Sequence, residues 1–293
     1  MNRRITLILC IFLLITALGI TLYPLISNIV GETYRSLVET QYEQAVAKLD
    51  DVELSTARKA AENYNRTLLT IPQEAYTRDA LLQAEQSYND LLNVCGDGIM
   101  GYVQIPKINV ELPIYHGTSE ETLDRGIGHL MGSSLPIGGV GTHCVLTGHS
   151  GLAGNRMFSD LDQLKKGDVF YLKVLDETLA YAVLEIDTVL PEDTSQLAID
   201  SVRDTVTLVT CTPFGVNTHR LLIHGERTEY HLAERVIQET DTPEAPVKST
   251  WAQEYLKGIG IGCVGVFGLS SVIVCIRYGL PKLKERRGRH EKR

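Results

Sequence analysis

The chain has 293 residues, of which 44% are hydrophobic and 22% are charged, and its net charge is −8. Arg3, Arg4, Arg277 and the tail from Lys282 onward together carry a net charge of +8, so the rest of the chain carries −16. Such an acidic body argues against a nucleic-acid-binding protein, which presents a basic surface.

The chain begins with an uncharged stretch, residues 5–31, preceded by two arginines. About 20 apolar residues cross a bilayer, so residues 1–31 are predicted to form an N-terminal membrane anchor. A cleaved signal peptide is the alternative, but its apolar region is usually about 7 to 15 residues long and ends at a small-residue site. No clear site of that kind precedes Glu32, which favours an uncleaved anchor.

The next region, residues 32–97, has a single proline, Pro72, and no glycine before position 96. Ala, Gln, Glu and Leu are frequent, and apolar residues recur at helical spacing. The pattern predicts one or two long helices broken around Ile71-Pro72, followed by another helix at about 78–92.

The composition changes abruptly at Gly96, since 13 glycines lie between Gly96 and Gly154. Many short β-rich runs without intervening helical patterns are typical of a β-barrel or sandwich. The fold is therefore predicted to be mainly β. The candidate strands are Tyr102–Ile105, Val110–Ile114, Cys144–Thr147, Val169–Val174, Tyr181–Val189, Val206–Cys211 and Arg220–His224.

A polar stretch with two prolines, residues 231–254, is predicted to be a helix and linker. The uncharged residues 258–276 that follow are long enough to span a bilayer, which predicts a C-terminal transmembrane helix at 255–281. The basic tail, residues 282–293, and the N-terminal arginines both favour the cytoplasmic side. The expected localisation is the cell membrane, with both termini cytoplasmic and the middle of the chain outside.

Three of the six cysteines, Cys95, Cys144 and Cys211, lie outside the two apolar segments. An odd number leaves at least one of them unable to form an intramolecular disulfide, and such a thiol is a candidate for reactivity. Cys95 and Cys144 either form a disulfide between the helical region and the β-rich region or are both buried thiols. The residues leave these two alternatives open.

Cys211 ends one strand-like run, and Arg220 begins the next run nine positions later. If these strands pair antiparallel, both residues lie at the same end of the sheet. A cysteine nucleophile needs a base, usually histidine. His149 has the best context, because it follows a strand and has glycines on both sides of the pair His149-Ser150. Only the combination of these residues favours nucleophilic catalysis, since each alone is more often structural.

The run TLVTC, residues 207–211, resembles the T-L-x-T-C signature of sortases, the extracytoplasmic cysteine transpeptidases of Gram-positive bacteria. The stretches MGYVQIPKINVELPIYHGT and TLVTCTPFGVNTHRLLIHGER resemble the class C, pilin-polymerising subgroup. The resemblance covers roughly Gly98 to Arg227. It implies a closed β-barrel of about eight strands at residues 98–230, a helical lid region before it and two flanking transmembrane helices.

By motif position, the resemblance implies that Cys211 is the nucleophile, His149 the general acid and base, and Arg220 the group that stabilises the oxyanion and positions the substrate. It implies that Thr210 contacts the substrate. The expected substrates are L-P-x-T-G-type sorting signals of pilins or surface proteins, cleaved after the threonine, with a lysine amine of a pilin subunit as acceptor. No cofactor, metal or nucleic acid is expected.

The chain departs from the class C pattern in the lid. Class C sortases usually carry an Asp-Pro-aromatic motif there, whereas this chain has Ile71-Pro72-Gln73. We therefore expect a lid that is looser or anchored differently, for example through Tyr76.

Two other functions compete with this interpretation. A housekeeping sortase would attach proteins to a peptidoglycan precursor, but the C-terminal apolar segment and the class C-like motifs argue against it. A non-enzymatic metal-binding surface module could use His143, Cys144, His149 and Cys211 as zinc ligands. The short-range C-x-x-C or H-x-x-x-H pairs that support such a site are missing from these residues.

Overall fold

The structure is a computed structural model that describes residues 3–70, 88–150, 157–230, 257–260 and 262. The chain divides into two compact units, Met1–Val247 and Lys248–Arg293. The described residues of the second unit are helical. Several predicted features lie outside the described residues: the lid residues Ile71, Pro72, Gln73 and Tyr76, most of the helix at 78–92, the linker at 231–254, nearly all of the helix at 255–281, and the tail at 282–293.

Among the described residues before the β-rich region, two long helices occur: α1 spans Arg3–Val46 and α2 spans Asp51–Thr70. The predicted anchor and the start of the predicted helical region thus form one continuous helix, and the first break falls after Val46. Asp50 and Glu53 explain where α2 begins. The Asp50 Oδ1 atom accepts the Glu53 N–H at 2.8 Å, and the Glu53 carboxylate accepts the Asp50 N–H at 3.0 Å. This reciprocal pair is a capping box.

Within the part of the chain that the structure describes, no helix has both the length and the apolar character that a membrane crossing requires. The two membrane segments remain predictions from the sequence.

The described residues then form eight strands: β1 Ile99–Ile105, β2 Val110–His116, β3 Ile127–His129, β4 Thr142–Thr147, β5 Val169–Val174, β6 Glu177–Val189, β7 Asp204–Thr212 and β8 His219–Thr228. They close into a barrel in the order β1-β2-β3-β4-β7-β8-β6-β5. The pairs β2–β3 and β4–β7 are parallel, and the others are antiparallel. The prediction of a closed, mainly β barrel is therefore confirmed.

Strand β3 is the one that the sequence pattern did not predict. It has three residues, all buried, with Gly128 in the middle. A side chain at Gly128 would collide with the Gly117 carbonyl and approach Leu123 Cδ2 to 2.9 Å, so the backbone there must pass close to its neighbours. A strand this short has no readable alternation, and its pairing with β2 and β4 defines it.

The two helices are attached to the barrel by buried polar contacts. The Tyr42 hydroxyl of α1 donates to the Met100 carbonyl and accepts the Leu175 N–H, both at 3.0 Å. On α2, the Asn65 carboxamide accepts the Leu135 N–H at 2.7 Å and donates to the Leu135 carbonyl at 3.3 Å. Because these bonds satisfy buried groups on both partners, they determine where each helix docks.

Cys95 and Cys144 are both free thiols, so the structure has no disulfide between them. Cys144 is 3% exposed and packs in the main apolar core of the barrel. Cys95 instead packs against a separate cluster that includes Tyr42 and Tyr102. The two thiols thus belong to different packing environments.

Candidate active site

The hairpin of β7 and β8 places Cys211 and Arg220 directly opposite each other in antiparallel register. Directly opposed residues of an antiparallel pair lie on the same face, with Cβ atoms about 4.5–5.5 Å apart. Two hydrogen bonds stabilise the connecting loop: the N–H groups of Val216 and Asn217 both donate to the Pro213 carbonyl at 3.0 Å. Asn217 has a φ of 61°, a left-handed conformation that asparagine tolerates better than most residues.

His149 reaches the same end of the barrel through a different pairing. Strands β4 and β7 are parallel, with Thr147 beside Val209. Two positions further along each strand lie His149 and Cys211. The register continues beyond the strand end, because the Gly148 N–H donates to the Val209 carbonyl at 3.0 Å. The three residues singled out by the sequence therefore lie at one end of the barrel.

The His149 side chain is 29% exposed, and its Nε2 atom lies 3.9 Å from Asp124 Oδ1. Asp124 belongs to α3, Glu120–Arg125, a short helix between β2 and β3 that is capped by the Ser119 side chain. Sequence reasoning missed Asp124, because nothing in its local pattern indicates that α3 packs beside the end of β4.

The Arg220 guanidinium is held by the backbone of its own turn. Its Nη1 atom donates to the His219 carbonyl at 3.1 Å and to the Asn217 carbonyl at 3.4 Å. A guanidinium has several N–H donors in a planar fork. Two contacts through one nitrogen orient the group and leave it the capacity to bind a developing oxyanion.

Thr210, for which the resemblance implied a substrate contact, is buried in strand β7. Its side chain is 3% exposed, and its hydroxyl donates to the Gly148 carbonyl at 2.8 Å. Successive side chains of a strand point to opposite faces, so Thr210 and Cys211 face opposite sides of the sheet. The structure thus directs this hydroxyl toward the backbone beside His149 and away from the face that carries Cys211.

The residues of the metal-binding alternative do not converge. The His143 Nδ1 atom lies 2.9 Å from the Ala198 carbonyl, and Nε2 lies 2.7 Å from the Thr207 hydroxyl, so both ring nitrogens are engaged. Burial raises the pKa of the Cys144 thiol, which disfavours a thiolate ligand. Among the described residues, no group of three or more His, Cys, Asp and Glu side chains could hold a metal ion.

Part of the chain is similar in sequence to proteins of a known family. Residues 103–228 match the sortase domain family. Sortase D of Bacillus subtilis is 33% identical over 130 residues, which cover 43% of this chain and 63% of that protein. Sortase A of Bacillus anthracis is 28% identical over 188 residues, which cover 64% of this chain and 80% of that protein.

Solved structures extend the likeness. The crystal structure of sortase C1 from Streptococcus agalactiae is 46% identical, with a TM-score of 0.61, and the match covers 66% of this chain and 98% of that one. Sortase C of Streptococcus pneumoniae is 43% identical, with a TM-score of 0.59, and the match covers 66% of this chain and 97% of that one. With its barrel, its Cys211–Arg220 pairing and these likenesses in agreement, the chain belongs to the sortase family of cysteine transpeptidases.

Proposed function

We propose that this chain is a membrane-anchored class C sortase that joins pilin subunits. Its substrates are L-P-x-T-G-type sorting signals, cleaved after the threonine, and its acceptor is a lysine amine of another subunit. The observation that carries the proposal is the register that pairs Cys211 with Arg220. The bond from the N–H of Gly148, the residue before His149, to the Val209 carbonyl supports it. The solved sortase C of S. pneumoniae, described in terms of pilin substrate specificity, supports the substrate class.

The first half-reaction forms an acyl-enzyme. The Cys211 thiolate attacks the carbonyl carbon of the threonine, a C–S bond forms, and the carbonyl oxygen becomes an oxyanion. The Arg220 guanidinium, whose charge persists at every relevant pH, stabilises that oxyanion. Protonated His149 gives its proton to the departing amine as the C–N bond breaks, which leaves a thioester on Cys211.

The second half-reaction transfers the acyl group. A lysine amine attacks the thioester carbonyl, a C–N bond forms, and neutral His149 takes the proton that the amine loses. The C–S bond breaks, and the Cys211 thiolate is restored. The new amide joins two polypeptides, and no external energy source is needed because the thioester conserves the energy of the cleaved bond.

The catalytic barrel, on this proposal, lies outside the cell, with both termini in the cytoplasm. The uncharged segments at 5–31 and 258–276 and the basic residues beside each of them support this topology. A cysteine placed in the barrel by substitution of an exposed residue such as Thr188 should react with a membrane-impermeant thiol reagent on intact cells. A cysteine in the tail should react only after lysis.

The reaction is tested by trapping the acyl-enzyme. Wild-type protein, Cys211→Ala and the control Cys144→Ala are each incubated with a sorting-signal peptide, and the adduct is mapped by peptide mass spectrometry. We expect a thioester on Cys211 in the wild type and in Cys144→Ala. Full peptide cleavage by Cys211→Ala would overturn the proposal.

The acceptor is tested separately with wild-type protein. A lysine-bearing pilin peptide and an amine that mimics a cell-wall precursor compete for the same acyl-enzyme, and the products are identified by mass. Preference for the cell-wall mimic would indicate a housekeeping sortase.

A further inference from the structure

The backbone that carries His149 is fixed by hydrogen bonds on both sides of its peptide unit. The Gly148 N–H donates to the Val209 carbonyl at 3.0 Å, and the Gly148 carbonyl accepts the Thr210 hydroxyl at 2.8 Å. The His149 carbonyl accepts the Phe158 N–H at 3.1 Å. Among the described residues, the side chain that donates to the carbonyl of the peptide joining Gly148 to His149 is that of Thr210.

Packing restricts the same backbone further. A side chain at Gly148 would meet Ile127 Cδ1 at 2.6 Å and Phe158 Cδ2 at 2.9 Å, so the chain passes against both residues with no spare room. Gly148 is itself buried. A buried carbonyl that loses its donor incurs a desolvation cost, which favours a rotation of the peptide toward another donor or toward water.

Thr210 is also the residue directly before the nucleophile. Strand β7 thus supplies Cys211 on one face and, from the adjacent position on the other face, the hydroxyl that holds the His149 backbone. The Thr210 hydrogen bond thus links the residue before Cys211 to the residue before His149.

We propose that Thr210 is a positioning residue of the transpeptidase: its buried hydroxyl sets the orientation of the Gly148–His149 peptide and, through it, the position of the imidazole relative to Cys211. This inference rests on the proposed role of His149 as general acid and base. It assigns Thr210 a role in proton transfer and none in substrate affinity.

The test compares Thr210→Val, which keeps the shape and removes the hydroxyl, with Thr210→Ser, which restores it. The matched control is Thr205→Val. Thr205 lies on the same strand at the far end from Cys211, and its hydroxyl makes a similar bond of 3.3 Å to the Thr142 carbonyl. All variants are made in the full chain, and peptide cleavage is followed as kcat, KM and the pH dependence of kcat/KM.

Thr210→Val is expected to lower kcat by about 10- to 100-fold, since displacement of a catalytic group by about 1 Å can cost that much. KM should stay within about twofold of the wild-type value. In the profile of kcat/KM against pH, the part that depends on protonation of the catalytic base should move along the pH axis. Thr210→Ser should recover most of kcat. Thr205→Val should leave kcat and the pH profile unchanged.

Three results would overturn the inference. A rise in KM at constant kcat would make Thr210 a substrate contact. Equal effects of Thr210→Val and Thr205→Val on stability, with no change in kcat or pH profile, would make it a structural residue. If Thr210→Val does not fold, Thr210→Ala replaces it, and wild-type kcat in that variant has the same meaning.

Failure of the inference and failure of the proposed function are distinguishable in one assay. An inactive Cys211→Ala variant beside a fully active Thr210→Val variant refutes only the positioning role. Cleavage that persists in Cys211→Ala refutes the proposed function itself.

Discussion

Cys211 and Arg220 are direct partners across the ladder of β7 and β8. Their separation is therefore set by a regular antiparallel pair and does not depend on the conformation of a long loop. A site built on strands holds its geometry more closely than one built on loops, which suits a reaction that needs a donor at a fixed place. The guanidinium is held by the Asn217 carbonyl of the turn between the strands and by the His219 carbonyl at the start of β8.

Replacement of Arg220 should impair chemistry more than binding. We expect Arg220→Ala to reduce kcat by about 100- to 1,000-fold, the usual cost of removing an oxyanion donor. Arg220→Lys keeps the charge but lacks the planar fork, so its activity should stay well below the wild type. Arg203→Lys is the control, because Arg203 is exposed and pairs with Asp200 and Glu226. Wild-type kcat in Arg220→Ala would exclude the assigned role.

Thiol chemistry should distinguish the three cysteines that lie outside the apolar segments, Cys95, Cys144 and Cys211. A small alkylating reagent should label Cys211 in the folded protein. Cys144 is buried, and burial raises its pKa, so it should react only after unfolding. Cys95 is partly buried with a pKa raised by the same cause, so it should react slowly. Mass mapping of the alkylated sites against time measures this order, and rapid labelling of Cys144 in the folded protein would contradict it.

Hydrogen bonds through the Thr207 hydroxyl connect two histidines, His143 and His224, whose protonation should affect the stability of the fold. The Thr207 hydroxyl lies 2.7 Å from His143 Nε2 and 2.8 Å from His224 Nδ1. His224 Nε2 also faces Gln196 Oε1 at 2.9 Å, and Asp187 lies 3.8 Å away. Burial lowers the pKa of both rings below the ordinary value of 6.5, so the unfolded chain takes up protons first as the pH falls.

The contribution of these two histidines to the free energy of unfolding should therefore be complete above pH 6.5 and should decrease below it. We expect the difference in unfolding free energy between the wild type and His224→Gln to be larger at pH 8 than at pH 5.5. Denaturant titrations at the two pH values measure it. Thr207→Ser, which keeps the hydroxyl, should show the wild-type dependence on pH. An equal difference at both pH values would show that His224 does not titrate as described.

Glu39 should give a pH dependence of the opposite sign. It lies on α1 beside Glu111 of β2, and both carboxylates approach Lys173 of β5, at 3.4 and 3.1 Å. Burial first, and then Glu111, raise the pKa of Glu39 from 4.5 to about 7. The folded protein thus holds a proton that the unfolded chain releases, so this contribution is complete below pH 4.5 and is lost as the pH rises through 7.

The variant Glu39→Gln isolates that contribution. The advantage of the wild type over Glu39→Gln in unfolding free energy should be larger at pH 5 than at pH 8, as measured by denaturant titration of the detergent-solubilised chain. Glu43→Gln, an exposed position on the same helix, is the control and should show no such trend. A wild-type advantage that grows toward pH 8 would refute the assignment.

The docking of α2 should depend on Asn65. Asn65→Ala leaves the buried N–H and carbonyl of Leu135 without their partners, which should cost about 2–4 kcal/mol of unfolding free energy. Asn63→Ala, on the exposed side of the same helix, should cost far less. Chemical denaturation of both variants measures the difference. Similar losses in the two variants would show that Leu135 finds other partners.

Most strands could be predicted from the sequence, because the alternation of apolar and polar residues and the turn residues that bound a strand are local features. Each of the seven candidate strands, such as Val206–Cys211, overlaps a strand of the barrel. Strand β3 could not be predicted, because three residues with a glycine in the middle are too few to show the alternation that marks a strand. The position of the first helix break was missed as well, although Asp50 and Glu53 have the spacing of a capping box.

By itself, the sequence determined the mainly β class and the Cys211–Arg220 pair, since a hairpin needs only two adjacent runs and the turn between them. The tertiary structure alone decided the rest of the site. It placed His149 alongside Cys211 through a parallel pairing of distant strands, Asp124 near the imidazole, and the Thr210 hydroxyl on the Gly148 carbonyl. Such contacts depend on a register between segments far apart in the chain, which closure of the barrel sets and no local pattern encodes.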